Sequence, residues 1–190
     1  NLKNTMRTIL NKFLKVITWI VLPFFFTSYV SPEIYGEDNF IVDGNYNLKA
    51  SGSHNLELSG IISFRTAIQY SDHNKPFSTL KLDLHSDQND NKHSLGFLIC
   101  EQNSERELRP GKYKVPNKIE GLLNNFDGVF GFANFQELGE IPFFAQNGRI
   151  NITRIGPKVL HGTIEVTLKN AEGKQLNING DFTAIRRIIE

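Results

Sequence analysis

The sequence predicts an all-β domain, an antiparallel sandwich or barrel of about eight to ten strands. Much of the chain after residue 55 alternates between apolar and polar side chains, which is the period of a strand with one buried face. Short segments rich in Gly, Pro, Asn and Asp separate these stretches, and such residues form tight turns. No stretch after the first thirty residues carries the apolar period of a helix. Together these observations are typical of an antiparallel all-β protein.

The chain begins with a segment that is typical of a secretory leader. Translation is expected to start at Met6, so residues 1–5 are interpreted as preceding the true start. A basic region follows Met6, then an apolar run over residues 16–26, and then small and polar residues. This run is shorter than the roughly twenty residues that a membrane-spanning helix needs. We therefore expect an N-terminal signal helix and export to the periplasm or beyond.

The leader divides the chain after residue 36. Residues 1–36 are expected to hold the pre-start residues and the signal peptide, with cleavage before Glu37, and residues 37–190 a single β-domain. In the alternative, an uncleaved leader anchors the protein in the inner membrane. That anchor would be the protein's only expected contact with a membrane.

Eight stretches after the leader are predicted as strands. The first lies in residues 31–45, which form either a tether or an edge strand around residues 40–42. The others are residues 56–69, 77–86, 94–101, 113–115, 149–153, 160–168 and 176–184, and most of them show the apolar–polar alternation. Residues 94–101 are apolar on both faces, which predicts a central strand.

The last two strands are predicted to form a hairpin whose register follows from the pattern. Both strands place apolar residues at even positions, and a slip by one residue would turn one of the two sets towards water. Pairing Asn170 with Lys174 aligns the sets, giving Leu168–Leu176, Val166–Ile178, Ile164–Gly180, Gly162–Phe182 and Leu160–Ala184. This register leaves residues 171–173 as the loop, in which Gly173 supplies a left-handed conformation.

Several turns and strands follow one another in a characteristic order. They are Pro110-Gly111-Lys112-Tyr113, Gly148-Arg149-Ile150-Asn151-Ile152-Thr153, Gly162-Thr163-Ile164, and Gly173-Lys174 through Gly180-Asp181-Phe182. In this order the chain resembles, over roughly residues 56–184, a group of small secreted bacterial β-domains, many of them envelope proteins or lipoproteins of unknown function. The resemblance implies a secreted or envelope-associated β-domain and brings no catalytic residues. Many of those proteins carry a lipid-modified cysteine after the leader, and this chain has none there.

Length and composition fit one globular domain of 190 residues, 39% hydrophobic and 22% charged. The formal net charge of +1 includes four basic side chains in the first thirty residues, and the remainder has 17 basic and 20 acidic side chains. A mildly acidic body with scattered lysines predicts no binding to nucleic acid. Cys100 is the only cysteine, so no internal disulfide forms, and its place in an apolar strand predicts a buried, inert thiol.

One loop carries the residue types of a metal site. His85, Asp87 and His93, with Asp83 and Asp90 beside them, would approach one another if the loop joins two paired strands. The same composition is ordinary for an exposed hairpin loop, and the spacing lacks the central glycine and terminal glutamate of a calcium loop. We predict no metal and no cofactor. The alternative is a metal-dependent or hydrolytic enzyme that uses the region from His85 to His93.

No other motif predicts catalysis. The serines lack the glycine-flanked pattern of a nucleophile elbow. Glu165 and Asp181 fall on one face of the predicted hairpin, but they alternate with Thr, Asn and Lys, which is the composition of a solvated strand face. The protein is therefore expected to be non-enzymatic.

Phenylalanine is concentrated between residues 126 and 144, which hold six of the fifteen in the chain. Five of them are candidate ligand-binding residues: Phe130, Phe132, Phe135, Phe143 and Phe144. Rings on both strand faces predict either a closed core or a groove for an apolar ligand. We expect a secreted or periplasmic binding or envelope-associated module, whose partner is an apolar small molecule or an envelope protein. A structural or assembly protein is the further alternative.

Overall fold

The protein is all-β in the part of the chain that the structure describes. The computed structural model describes residues 43–71, 73–86, 92–117 and 126–187. The strands are β1 (Asn45–Gly52), β2 (Leu56–Tyr70), β3 (Pro76–Ser86), β4 (His93–Gln102), β5 (Gly111–Lys114), β6 (Gly128–Phe135), β7 (Phe143–Ile155), β8 (Val159–Lys169) and β9 (Gln175–Arg186), with one short 3₁₀ helix at Gln136–Leu138. Among these residues, no helix is long and apolar enough to cross a membrane.

The all-β prediction is confirmed, and the N-terminal predictions fall outside the described residues. These are the leader in residues 1–36, its signal helix, and the edge strand at residues 40–42.

Eight strands close into an antiparallel barrel. Strands β1, β2, β3 and β4 pair in that order, β4 pairs with β6, and β6, β7, β8 and β9 again pair in order. Strand β9 then pairs with the whole length of β1, which closes the ring. Strands β2 and β9 also pair directly with each other, in a short parallel stretch beyond the start of β1. Of the two predicted architectures, the barrel is therefore the one that forms.

Strand β5 completes the wall at the seam between β6 and β7. These two strands pair only at Phe132–Phe144 and Ala133–Phe143. Strand β7 then pairs with β5 through residues 149–152. The far end of β5 lies against Gly128 of β6. Strand β5 therefore fills the gap that opens where β6 and β7 diverge.

Apolar side chains fill the inside of the barrel. On each strand of the ring, buried residues alternate with half-buried or exposed ones along most of the strand. The buried residues form one contiguous cluster, whose largest fully buried members are Phe64, Phe97, Phe143, Leu48, Ile62, Leu80, Leu82, Leu84, Leu95, Ile99, Ile150 and Ile152. An eight-stranded barrel is just wide enough to be filled by such side chains.

The hairpin of β8 and β9 has the predicted register at every pair, from Leu168–Leu176 to Leu160–Ala184. The loop closes through two backbone hydrogen bonds, from the Asn170 N–H to the Lys174 carbonyl and from the Gly173 N–H to the Asn170 carbonyl, each 3.1 Å long. Gly173 has a φ of 84°, the left-handed conformation that the loop length requires.

Substitution of Gly173 by valine is expected to lower the free energy of unfolding by about 1 to 3 kcal/mol. No atom lies within 4 Å of a Cβ added at this position, so the cost comes from the backbone conformation alone. The midpoint of urea denaturation measures it. Ala171→Val in the same loop is the matched control, because Ala171 does not have a positive φ. Equal midpoints for the two variants would contradict the assigned loop geometry.

The two ends of the barrel differ. We call the end where β3 and β6 finish and β4 begins the mouth, and the opposite end the base. At the base, residues 103–110 cross the barrel, held by the buried hydroxyl of Ser78, which donates to two carbonyls of this segment. Leu108 from this segment is buried in the core, and Glu107 forms an ion pair with Arg186 at 3.6 Å. The base of the barrel is therefore closed by this segment of the chain.

Candidate functional site: a buried histidine–tyrosine pair at the mouth of the barrel

The five candidate phenylalanines lie on two sides of the barrel wall. Phe135 and Phe143 face inwards and are 3% and 1% exposed, within the core cluster. Phe130, Phe132 and Phe144 lie at the alternate positions of β6 and β7 and face outwards. The structure thus brings two of the rings together in the core and the other three together outside.

The three outer rings form a continuous surface. Phe132 pairs with Phe144 on one side and with Gly96 on the other, and its ring covers the bare backbone of that glycine. Phe130 pairs with Leu98, and its ring centre is 6.2 Å from that of Phe144. We call Leu98, Phe130, Phe132 and Phe144 the aromatic face. Phe144 is 41% exposed, and the other three are half-buried.

The two histidines of the predicted metal loop lie on opposite sides of the wall. His85 is exposed on the outside of β3, where it pairs with Ser94. His93 begins β4 on the inner side and is 8% exposed. Asp87 lies outside the described residues. In the described ranges, no three His, Cys, Asp or Glu side chains are grouped so that they could hold a metal ion.

His93 differs from the other buried polar side chains of the described residues. Three of these four side chains bond to the backbone. Ser78 donates to carbonyls at the base, Thr79 donates to the Ala67 carbonyl at 3.2 Å, and Asn170 accepts N–H groups of its hairpin loop. His93 has a hydrogen bond to a side chain on the far side of the barrel interior.

The partner of His93 is Tyr46, from the inner side of β1. The Tyr46 hydroxyl lies 2.7 Å from His93 Nε2, although β1 and β4 are not neighbours in the ring. Tyr46 is 3% exposed, so its hydroxyl is removed from bulk water. In the neutral tautomer with the proton on Nδ1, the hydroxyl donates to Nε2. The bond joins two well-separated strands through the barrel interior.

Aromatic rings surround the pair. The His93 ring stacks on Phe135 with an interplanar angle of 28° and meets Tyr46 edge to face, with centroid distances of 6.2 and 6.0 Å. Phe143 packs edge to face on Phe135 at 5.7 Å. Gly60 lies opposite Tyr46, and an added Cβ there would be 2.9 Å from the hydroxyl. The absent side chain of Gly60 therefore makes room for the tyrosine to reach His93.

An open cleft leads to His93 from outside. It has a volume of about 700 Å³ and runs over the rim of the mouth, between the end of β3 and the 3₁₀ segment. Its walls carry hydrogen-bonding side chains, and its charged groups include Lys92 and Glu140. His93 and Phe135 form its inner end, and both also line a small cavity of about 10 Å³ on the β2 side. We call this space the mouth cleft.

Comparison of the chain with protein-family models, with curated proteins and with solved structures finds no match. We therefore infer a function from the geometry of the mouth and of the aromatic face.

The remaining reactive candidates from the sequence are accounted for by their surroundings. Cys100 is buried, and burial together with the nearby Asp127 carboxylate raises the pKa of its thiol to about 12. A thiol with this pKa is not a nucleophile at neutral pH. Glu165 forms an exposed ion pair with Arg149 at 2.6 Å, and Asp181 is exposed on β9. Neither carboxylate lies in an enclosed site.

Sequence reasoning did not identify Tyr46 as a site residue. Its segment carries only three inward-facing residues, Tyr46, Leu48 and Ala50. The signal that could have revealed the site is the placement of His93 at an odd position of β4, in phase with Leu95, Phe97 and Ile99. A histidine at the same alternate positions as the apolar residues of a strand is expected to be buried with them. A buried imidazole needs a hydrogen-bond partner.

Proposed function

We propose that the protein is a non-enzymatic binding module, exported to the cell envelope, that takes a small molecule at the mouth of its barrel. The observation that carries this proposal is that His93, which lines the mouth cleft, is hydrogen-bonded to the buried Tyr46 behind it. The exported location follows from the leader predicted in residues 1–36.

The energetics of the pair favour a functional role. Burial of a polar group costs roughly 1 to 3 kcal/mol in proteins, and a hydrogen bond returns only about 1 kcal/mol. Two apolar side chains of similar size would fill the same space without the cost. A buried polar pair beside an open cleft is typical of a binding site.

The surroundings of the pair define the chemistry of the ligand. The inner end offers the aromatic side chains of His93 and Phe135, whereas the walls offer hydroxyl and amide groups from Ser86, Ser94 and Asn134. Lys92 supplies a cation at the rim. This arrangement suits a molecule with an apolar or aromatic body and a polar or anionic head.

We expect the folded protein to bind 1-anilinonaphthalene-8-sulfonate saturably with one-to-one stoichiometry, since this dye combines aromatic rings with an anionic group. Ser94→Trp should weaken the binding at least tenfold, because a large ring at this half-buried position fills the mouth cleft. Fluorescence titration of the folded protein measures both quantities.

Phe144→Ser is the matched control for this titration. It removes the most exposed ring of the aromatic face and should leave the affinity for the dye unchanged. Loss of dye binding in Phe144→Ser but not in Ser94→Trp would place the dye on the outer wall and contradict the proposal. Absence of saturable binding to the folded protein would also contradict it.

A further inference from the structure

The aromatic face is an apolar surface whose side chains lie outside the core of the barrel. Its members lie on the outer side of β4, β6 and β7, while the inner side of the same strands is already filled by buried residues such as Phe97, Val129 and Phe143. Contiguous exposed apolar surface of this kind marks an interaction site in soluble proteins.

The outer wall elsewhere has a different composition. Most of the outward-facing residues of β1, β8 and β9 are polar, among them Asn47, Lys49, Thr163, Glu165, Thr167, Asn177, Asn179 and Asp181. Several of them bond to one another, as Thr167 does to Asn177 at 2.9 Å. The barrel therefore has one apolar outer side and one polar outer side.

Cationic side chains flank the aromatic face on both sides. Lys169 pairs with Phe144 at one edge, and Lys81 pairs with Leu98 at the other. Asp83 lies beside Lys81, but it contacts two cations, Lys81 at 2.8 Å and Arg65 at 3.6 Å. These flanking side chains therefore sum to one positive charge on each side, Lys169 on one and Lys81, Arg65 and Asp83 on the other.

We propose that the aromatic face docks onto an anionic lipid surface. Aromatic side chains lie at the level of the lipid headgroups, and lysines beside them attract anionic headgroups. The outer wall of a barrel is convex, whereas a small molecule binds in a concave site. Docking onto a bilayer surface requires only protruding rings and flanking cations. In a two-fold dimer through this face, each cationic flank of one copy would meet a cationic flank of the other, and these like charges would repel.

A fluorescent probe at a single site tests the proposal on the full chain, including any leader that remains attached. Acrylodan is attached to Cys in the variants Phe144→Cys and Asn179→Cys, the second on the polar side. Native Cys100 is 2% exposed and its thiol pKa is raised to about 12, so it stays unlabelled at neutral pH. The vesicles are phosphatidylglycerol or, for comparison, phosphatidylcholine.

With phosphatidylglycerol vesicles, the probe at position 144 should shift its emission to the blue and be quenched by brominated acyl chains. The probe at position 179 should show neither effect. Lys169→Gln should weaken the vesicle affinity reported at position 144 about fivefold, the contribution of one lysine near an anionic surface. Equal signals at the two positions, or no signal at position 144, would overturn the proposal. A blue shift that grows with protein concentration in the absence of vesicles would instead assign the face to a second copy of the chain.

Discussion

Phe143→Ala is expected to lower the free energy of unfolding by about 3 to 5 kcal/mol, the cost of truncating an aromatic ring in a closed core. Phe143 is 1% exposed and packs against Phe135 inside the barrel. Phe144→Ala should cost about 1 kcal/mol or less, because that ring is 41% exposed on the outer wall. The two residues are adjacent in the chain and identical in type, so each is the matched control for the other. Urea denaturation of the two variants measures the difference.

Similar losses for the two variants would contradict the assignment of one ring to the core and the other to the outer wall. A large loss for Phe144→Ala alone would mean that the outer rings serve mainly to seal the seam between β6 and β7. In that case the aromatic face would be part of the fold, and lipid docking would lose its basis.

The sequence predicts those parts of the fold in which one face of a strand is clearly apolar. The hairpin of β8 and β9 is the best case. The apolar residues of both strands lie at even positions, so only a few registers place both sets on the same face, and Gly173 marks the loop. Every predicted pair of that hairpin is present. Register is strongly determined wherever a one-residue slip would expose a whole apolar set.

The sequence does not predict elements that depend on partners distant in the chain. Strand β1 has three inward-facing side chains among polar neighbours, so its pattern is too weak to distinguish it from a tether. It forms because β2 and β9 supply hydrogen-bonding partners on both of its edges. The choice of a barrel over a sandwich likewise follows from the pairing of β9 with β1, which no local pattern encodes.

The two sides of the phenylalanine-rich region show the same limitation. Rings occupy both odd and even positions of residues 130–144, so the alternation does not determine which rings face inwards. The short pairing of β6 with β7 decides it, by aligning Phe132 with Phe144 and Ala133 with Phe143. Tyr46 and His93 are 47 residues apart and on strands that do not pair, so their contact could not be derived from spacing.

We propose that the Tyr46–His93 pair is retained for binding and not for folding. Tyr46→Phe and His93→Leu, made singly, each remove the hydrogen bond and should each lower the free energy of unfolding by roughly 1 to 3 kcal/mol, since one buried polar group loses this partner. The double variant Tyr46→Phe/His93→Leu removes both polar groups and should be more stable than either single variant.

The decisive measurement is the affinity of this double variant for 1-anilinonaphthalene-8-sulfonate, determined together with its stability. Our account predicts a folded protein, close to the wild type in urea midpoint, whose affinity for the dye is at least tenfold weaker. A double variant that binds the dye as tightly as the wild type would show that the pair is not part of the binding site. A double variant less stable than both single variants would show that the fold itself requires the pair.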